Sequence, residues 1–397
     1  MMRTVSLVCE DGGTPIKAIV IGAGIGGITA GISLQRAGVD VSVYEQMPEL
    51  REVGSGLTLW VNAMRALRKL DAADAVRDRG AVVERLQNRT DRGDLLSTLP
   101  IKEIADKYGA PNVGIHRGRL QATLAEALQG GALELGTKCT GLQEADGAVV
   151  VQLADGREER ADVVVGADGI NSTVRAELFG REPPRYAGYT CWRSAVKLDH
   201  DALKPGYYHQ LYGAGSNFGI FPIGEGEWSW YGTKVTGEGE TAGSPAEWKR
   251  QAVAAFRDWW EPVSALIEAT DESGFVRQDI YDRVPIDTWS RGRVTLLGDA
   301  AHATTPALGQ GGCMAIEDAL VLGKGLKNNG GNVDAALRAY EAQRRTRANG
   351  IVRQARRHGA FYHASSPVVG AARYAFLRFA PVKVAMRAVD KLMGYEA

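Results

Sequence analysis

The first clear pattern in the chain is a short apolar run that leads into a cluster of glycines. The run at 18–21 is followed by GAGIGG, by a helix of small residues to about Ala37, and by a second strand in VDVSVYE. Short apolar runs bounded by glycine are typical of buried strands in a parallel sheet. The pattern therefore predicts a β-α-β unit near the start of the chain.

Two more buried strands are predicted from the apolar runs at 163–165 and in RVTLLGDA. The first is preceded by alternating residues on either side of Asp155-Gly156, a dipeptide that favours a tight hairpin turn. Between 185 and 235 the pattern changes to short alternating runs broken by glycine and proline, which indicates a separate antiparallel sheet. Helical spacing extends over 245–260 and over most of 317–360.

Composition excludes several classes of protein. The 397 residues are 45% hydrophobic and 24% charged, as in a globular domain with a core. Because 47 basic residues balance 47 acidic ones, we expect no nucleic-acid partner. The scattered cysteines lack metal-ligand spacing, so we expect neither a disulfide framework nor a metal site; they are Cys9, Cys139, Cys191 and Cys313. Neither a signal peptide nor an apolar run of roughly 18 residues is visible, so we expect a cytoplasmic protein.

The glycine cluster has the spacing of a dinucleotide-binding fingerprint. Gly22, Gly24 and Gly27 form G-x-G-x-x-G between a strand and a helix, where backbone N–H groups can approach a pyrophosphate. Glu45 ends the next strand, close to the spacing at which an acid binds the ribose hydroxyls. The fingerprint predicts a dinucleotide site but does not distinguish NAD from FAD.

Two distal motifs favour FAD. In GADGINSTVR a predicted strand ends at Asp168, and in LLGDAAH another ends at Asp299. Open α/β sheets bind ligands at the carboxyl ends of their strands, and a long ligand with a ribityl chain would contact both. From Lys17 to the closing LMGYE, the chain resembles the group A flavin-dependent monooxygenases, the p-hydroxybenzoate hydroxylase-like class. Within that class, its motifs most resemble those of the urate hydroxylase and salicylate hydroxylase-like aromatic hydroxylases.

The resemblance implies an α/β fold in which a Rossmann-like FAD-binding domain carries an inserted antiparallel β-sheet and C-terminal helices. We expect a discontinuous FAD-binding domain of residues 1–75, 110–180 and 285–330. The substrate-binding domain would comprise 76–109 and 181–284, and residues 331–397 would form a C-terminal helical region.

The same resemblance implies a set of FAD-binding residues. Glu45 would hold the adenosine ribose, Asp299 the ribityl hydroxyls, and Arg175 would belong to a motif implicated in both FAD and NAD(P)H binding. Free N–H groups at the Gly309–Gly312 turn, together with the dipole of the following helix, would stabilise negative charge on the reduced flavin. The full set is Gly22, Ala23, Gly24, Ile25, Gly26, Gly27, Glu45, Arg51, Arg117, Asp168, Arg175, Asp299, Pro306, Gly309, Gly311 and Gly312.

The inserted sheet is expected to supply the substrate pocket. Residues 207–231 contain eight aromatics and no Lys or Arg. A desolvated carboxylate needs a paired cation, so a neutral or phenolic aromatic substrate is favoured over a benzoate. Asn217 and Ser229 stand where the urate-hydroxylating branch has a substrate-facing Arg and Tyr, which disfavours urate. The pocket candidates are Arg193, His209, Gln210, Tyr212, Asn217, Trp230 and Pro306.

The implied activity is hydroxylation of a phenolic or heteroaromatic small molecule. FAD would be bound non-covalently, NADH or NADPH would be a transient reductant, and O₂ would form a flavin C4a-hydroperoxide. Epoxidation or Baeyer–Villiger oxidation of a polyketide or isoprenoid, and an FAD reductase or oxidase without oxygen insertion, stay open as alternatives. So does the choice between a monomer and a homodimer.

The basic, apolar tail RYAFLRFAPVKVAMRAVDKL is expected to form two helices separated at Pro381. Packing of these helices over the FAD-binding domain is favoured over contact with a membrane surface.

Overall fold

The computed structural model describes residues 15–50 and 54–397. Arg51 and Cys9 therefore lie outside the described residues. In chain order the strands are β1 (Lys17–Ile21), β2 (Asp40–Tyr44), β3 (Gly56–Leu59), β4 (Ala81–Val82), β5 (Arg85–Thr90), β6 (Leu95–Leu99), β7 (Val113–His116), β8 (Leu133–Glu134), β9 (Cys139–Ala145), β10 (Ala148–Leu153), β11 (Glu158–Ala161), β12 (Val163–Gly166), β13 (Arg185–Lys197), β14 (Tyr207–Gly213), β15 (Ser216–Gly224), β16 (Glu227–Val235), β17 (Val276–Asp282), β18 (Ser290–Arg291) and β19 (Val294–Leu296).

The helices are interspersed with these strands along the chain, and several of them follow the final strand. They are α1 (Ile25–Arg36), α2 (Val61–Lys69), α3 (Ala73–Asp78), α4 (Lys102–Tyr108), α5 (Arg117–Ala127), α6 (Thr173–Phe179), α7 (Pro245–Phe256), α8 (Glu261–Ala269), α9 (Asp299–His302), α10 (Gly311–Asn328), α11 (Val333–Tyr362), α12 (Pro367–Phe379) and α13 (Val382–Met393). Short 3₁₀ turns lie at Glu272–Gly274 and Pro306–Leu308.

A six-stranded sheet forms the first layer, in the order β18-β19-β12-β1-β2-β8. Its strands run parallel except for the short edge strand β18. β12 and β19 are buried along their whole length, and β1 is buried at every residue after Lys17, which explains why their sequences are mostly apolar. Helix α10 crosses α1 closely because Gly323 has no side chain; a Cβ there would lie 2.2 Å from Ser33 Oγ.

A seven-stranded sheet forms the second layer, in the order β17-β13-β16-β15-β14-β5-β6. All neighbours are antiparallel except β14 and β5. One face of this sheet, which we call the outer face, is covered by α7 and α8 and forms a separate aromatic core around Trp230 and Phe256. The opposite, inner face joins the main core through Tyr208 and Phe221.

The observed architecture confirms the predicted α/β fold with an inserted antiparallel sheet and C-terminal helices. The hairpin at Asp155-Gly156 is also confirmed, since β10 and β11 pair antiparallel across it. The strands of the six-stranded sheet fall within the ranges expected for the FAD-binding domain, and those of the seven-stranded sheet within 76–109 and 181–284. The division into domains itself stays a prediction.

The tail forms two helices, α12 and α13, with the break at Ala380-Pro381 as expected. Partly buried residues of α13, among them Met386 and Val389, pack against the main core. Across the described parts of the chain, every helix is too short or too polar to cross a membrane.

Candidate functional site

The glycine loop between β1 and α1 has two kinds of glycine. Gly22 has φ +100°, and a Cβ there would lie 2.6 Å from the Ala167 carbonyl oxygen. A Cβ on Gly27 would lie 1.8 Å from the Gly22 carbonyl oxygen, so the strand and the helix can meet only through glycine. Gly24, the N-cap of α1, has no described atom within 4 Å of its Cβ position. The loop is therefore packed tightly against protein on one side and open on the side of Gly24.

Glu45 lies directly beside this loop. One carboxylate oxygen accepts a hydrogen bond from the Ala23 backbone N–H (2.8 Å), and the other accepts one from the Met47 N–H (2.9 Å). Both bonds leave further lone pairs on the carboxylate, which is only partly buried. Glu45 is thus held at the loop with capacity to accept hydrogen bonds from a sugar hydroxyl.

Asp299 begins α9 at the carboxyl end of β19 and is accessible to solvent. The surrounding protein raises the pKa of its carboxyl by desolvation, while His302 and Arg117 act in the opposite direction. Arg117, at the start of α5, is also accessible, and desolvation together with Arg193 lowers its pKa. A carboxylate and a guanidinium thus lie in one solvent-accessible cleft. There they can form charge-assisted hydrogen bonds with hydroxyl and carbonyl groups of a ligand.

Asp168 and Arg175 make contacts within the protein. The Asp168 carboxylate accepts hydrogen bonds from the Ser172 hydroxyl and from the Thr173 (2.7 Å) and Val174 (3.2 Å) N–H groups at the start of α6. The buried Arg175 guanidinium donates to the carbonyls of Ala300 and Ala301, both at 3.1 Å. Arg175 therefore ties α6 to α9, the helix that carries Asp299, and both residues position backbone near the glycine loop.

The turn before α10 lies next to Trp60. Gly309 has φ +60°, and a Cβ there would lie 2.8 Å from Trp60 Nε1, which is buried without a hydrogen-bond partner among the described residues. Pro306 opens the preceding 3₁₀ turn and is exposed. Gln310, the N-cap of α10, makes no side-chain cap hydrogen bond, so the N–H groups at Gly311 and Gly312 are not capped by it. The helix N-terminus can therefore stabilise negative charge on a ligand.

A buried ionic network supports α9 and α10 from behind. Asp318 accepts hydrogen bonds from His302 Nε2 and from the Gly298 N–H (3.2 Å), and its other oxygen accepts one from Arg344 (2.7 Å). Burial by itself raises the pKa of Asp318, but His302 and Arg344 outweigh it and lower the pKa to about 2. This network fixes α9 to α10, and it engages His302 in a hydrogen bond inside the protein.

The inner face of the seven-stranded sheet carries a chain of polar aromatics. The Tyr208 and Tyr231 hydroxyls lie 2.9 Å apart, and Tyr231 donates to Gln210 Oε1. Since Tyr231 donates to Gln210, Tyr208 is the donor to Tyr231. The Trp60 and Tyr208 rings lie 6.3 Å apart, so this chain leads toward the Gly309 turn.

Tyr212 and Asn217 also lie on the inner face but are covered by the C-terminal helices. Tyr212 donates to Asn88 (3.1 Å), and its ring lies 5.0 Å from that of Tyr362. Asn217 lies 3.1 Å from His363 Nε2. Burial lowers the pKa of His363 to about 4, so its ring is neutral at pH 7; Nδ1 donates to the Gly359 carbonyl and Nε2 accepts.

His209 and Trp230 lie on the opposite, outer face. Trp230 is fully buried, stacks on Phe218 and donates to Thr270 (2.9 Å). His209 packs edge-on against Trp260, and desolvation lowers its pKa to about 3. Neighbouring residues of a strand point to opposite faces, so these two residues cannot share a pocket with Gln210 and Tyr231. The placement of His209 and Trp230 in the substrate pocket is therefore corrected.

Comparison with known proteins identifies the chain. A family model described as an FAD binding domain matches residues 15–355. The chain belongs to this family of flavoprotein monooxygenases. Relatives include the aurachin C monooxygenase/isomerase of Stigmatella aurantiaca, 41% identical over 85% of this chain and 88% of the relative. The FAD-dependent urate hydroxylase of Klebsiella pneumoniae is 33% identical over 91% of this chain and 94% of the relative.

A solved structure gives the same assignment for this flavoprotein monooxygenase. Klebsiella pneumoniae HpxO, complexed with FAD and uric acid, superposes with a TM-score of 0.90 at 30% identity, covering 95% of this chain and 96% of that chain. The predicted enzyme class and the predicted cofactor, FAD, are confirmed; NAD(P)H is the reductant and O₂ the co-substrate.

Sequence reasoning did not single out Trp60, Tyr208 and Tyr231, which the structure places beside Gln210 and the Gly309 turn. The alternation in β14 and β16 contained the signal for the two tyrosines. Tyr208 lies two positions from Gln210 and so shares its face, whereas His209 and Trp230 are each one position away from Gln210 or Tyr231 and so point to the other face. Trp60 has no such signal, since only the packing of Gly309 against it brings it to the site.

Proposed function

We propose that this monooxygenase hydroxylates a neutral phenolic or heteroaromatic ring bound between the inner sheet face and the Gly309–Gly312 turn. The observation that carries the proposal is the chemistry of that face. It offers aromatic rings at Tyr208, Phe221 and Tyr231 and an amide at Gln210. Arg193, a cation on this face, donates from Nη2 to Gln278 Oε1 (3.1 Å) and lies beside Arg117. A neutral ring needs no counter-charge in such a pocket.

For the cofactor, we propose that the pyrophosphate lies over Gly24, the adenosine ribose at Glu45, and the ribityl chain between Asp299 and Arg117. The open side of Gly24, the accessible Asp299 and the uncapped N-terminus of α10 fit such a molecule. Bound FAD supplies electron transfer from NAD(P)H to O₂ and insertion of one oxygen atom. The N–H groups at Gly311 and Gly312 would stabilise charge on the reduced ring, and Pro306 would pack beside it.

The relatives' substrates inform this proposal in two ways. The urate hydroxylases act on urate, but here Ser229 accepts from the Gly56 N–H (2.7 Å) and donates to the Ser194 carbonyl (3.2 Å), and Asn217 is held by His363. Both side chains are thus engaged inside the protein, which disfavours urate. The 41% identity to an aurachin C monooxygenase/isomerase supports a second candidate, oxygenation followed by isomerisation of the product. We also propose that the enzyme acts in the cytoplasm, as a monomer or a homodimer.

The test is consumption of NADH and NADPH in air by the purified holoenzyme with neutral phenols, quinolones, urate and aromatic acids, using ¹⁸O₂ and mass spectrometry. We expect turnover with a neutral ring and a product carrying one ¹⁸O atom. Arg193→Gln should change KM for that substrate less than about threefold, since a neutral ring makes no charge-assisted hydrogen bond with Arg193. Productive turnover with aromatic acids alone, abolished by Arg193→Gln, would contradict the neutral pocket.

A further inference from the structure

The hairpin formed by α12 and α13 exposes large apolar side chains at its tip. We define the basic apolar tip as residues 376–387, which span the end of α12, Ala380-Pro381 and the start of α13. Phe376 is 62% exposed, Phe379 76% and Val384 54%. Scattered single apolar residues are normal on a surface, but several large ones together at one helix junction indicate a partner.

Residues on both sides of the tip anchor it to the rest of the protein. Arg373 of α12 is buried and donates to the carbonyls of Tyr362 (2.6 Å) and Gly213 (2.9 Å), while Tyr374 donates to the Tyr212 carbonyl. On the other side, Met393 of α13 is buried. Because both helices are anchored on their inward sides, the phenylalanines are presented outward by the fold.

Charge distinguishes this surface from an ordinary apolar patch. The sequence contains no Asp or Glu between residues 342 and 389. Arg378, Lys383 and Arg387 are exposed at the tip, interleaved with its apolar residues. Asp390, which follows the tip, binds Lys107 (2.8 Å), and Asp91 lies beside Tyr374, on the side of α12 that faces the sheet. The exposed tip is therefore positive as well as apolar.

We propose that the basic apolar tip docks this enzyme reversibly on the anionic surface of a lipid bilayer. Interfacial binding needs apolar side chains that enter the headgroup boundary and cations that meet anionic lipid, and the tip supplies both. A second copy of the chain fits less well. A two-fold interface would bring each protomer's basic side chains against those of its partner, with no acid within the tip to pair with them. This inference does not depend on the substrate of the enzyme.

The first experiment is co-sedimentation of the full-length holoenzyme with vesicles of phosphatidylcholine alone and of phosphatidylcholine mixed with phosphatidylglycerol. We expect binding to the anionic vesicles that weakens as salt is raised, because surface charges are screened. The proposal would be overturned if the enzyme bound neither kind of vesicle. It would also be overturned if the enzyme bound both kinds equally and independently of salt.

Paired variants separate the two contributions. Phe376→Ser/Phe379→Ser should lower binding roughly tenfold or more through lost apolar burial. Arg378→Gln/Lys383→Gln should lower it about fivefold for each charge removed. Val253→Ser/Arg257→Gln, which changes an exposed apolar residue on α7 and the exposed basic residue at its C-cap, is the matched control and should bind as the wild type does.

Light scattering on the same proteins tests the second-copy alternative. We expect the Phe376→Ser/Phe379→Ser variant to keep the wild-type mass. A wild-type dimer that this variant converts to a monomer, together with no vesicle binding, would assign the tip to a second copy and overturn the lipid proposal.

Discussion

At the scale of single residues, the glycine loop separates what the fold requires from what the cofactor requires. Gly27 is needed by the protein itself, because a Cβ would collide with the Gly22 carbonyl at 1.8 Å. Gly24 meets no described atom, so its missing side chain has no role in packing. Two glycines of one motif therefore carry different constraints, and they can be tested separately.

We predict that Gly24→Ala lowers FAD affinity more than tenfold, because the methyl group displaces the pyrophosphate from backbone N–H groups worth about 1.5–3 kcal/mol each when the acceptor is charged. The free energy of unfolding of the Gly24→Ala apoprotein should differ from that of the wild type by less than about 1 kcal/mol. Gly27→Ala should instead destabilise the apoprotein by about 3 kcal/mol or more. FAD titration and urea unfolding of the apoproteins measure both effects. Full FAD affinity in Gly24→Ala would show that the pyrophosphate lies elsewhere.

At the scale of elements, the position of the four-residue helix α9 depends on its neighbours. Arg175 holds its carbonyls from α6, and Asp318 of α10 holds His302 at its end. A helix this short is not stable alone, since nucleation is unfavourable. The orientation of Asp299 is therefore set by contacts from other helices.

The contribution of Asp318 to the stability of the protein depends on pH. Its folded-state pKa of about 2 lies below its ordinary value of 3.8. The stability it contributes is thus present above pH 3.8 and is lost as the pH falls toward 2. Asp318→Asn should lower the free energy of unfolding by about 3–5 kcal/mol at pH 7, because it removes the buried carboxylate that pairs with Arg344 and His302.

Urea unfolding of the wild type and Asp318→Asn between pH 7 and strong acid measures this effect. We expect the difference in free energy of unfolding to narrow below pH 3.8. Asp287→Asn, at an exposed acid, should match the wild type at every pH. A constant gap between the wild type and Asp318→Asn would argue against ionisation as the origin of the stability.

At the scale of the whole molecule, the packing of the seven-stranded sheet decides which of its residues face the main core and which face α7 and α8. The outer face is closed by α7 and α8, and the inner face meets Trp60 and the Gly309 turn. Residues one position apart in β14 or β16 therefore belong to different environments.

We predict opposite effects for a residue on each face. Gln210→Ala should lower kcat/KM about tenfold, through loss of the hydrogen bond that orients Tyr231, with less than about 1 kcal/mol lost in stability. Trp230→Phe should cost about 1–2 kcal/mol of stability, because the Thr270 hydroxyl loses its donor, and should leave kcat/KM within about twofold. Steady-state kinetics and urea unfolding on the same preparations give both quantities, and the reverse pattern would contradict the assignment of faces.

The sequence by itself determined the features that depend on local backbone geometry and strand burial. The glycine spacing, the apolar strands, the Asp155-Gly156 hairpin and the break at Pro381 each follow from conformational preferences of a few adjacent residues. These features were sufficient to predict the α/β fold, the family and the FAD cofactor.

Tertiary structure alone decided which distant residues meet. Trp60 contacts the Gly309 turn, Asp318 contacts His302, and Tyr212 is covered by the C-terminal helices although it lies on the inner face of the sheet. These contacts depend on how helices and sheets pack in three dimensions, and side-chain packing has no short-range signature in the chain. For the same reason, the exposure of Phe376 and Phe379 became evident only when the hairpin was seen anchored from its inner side.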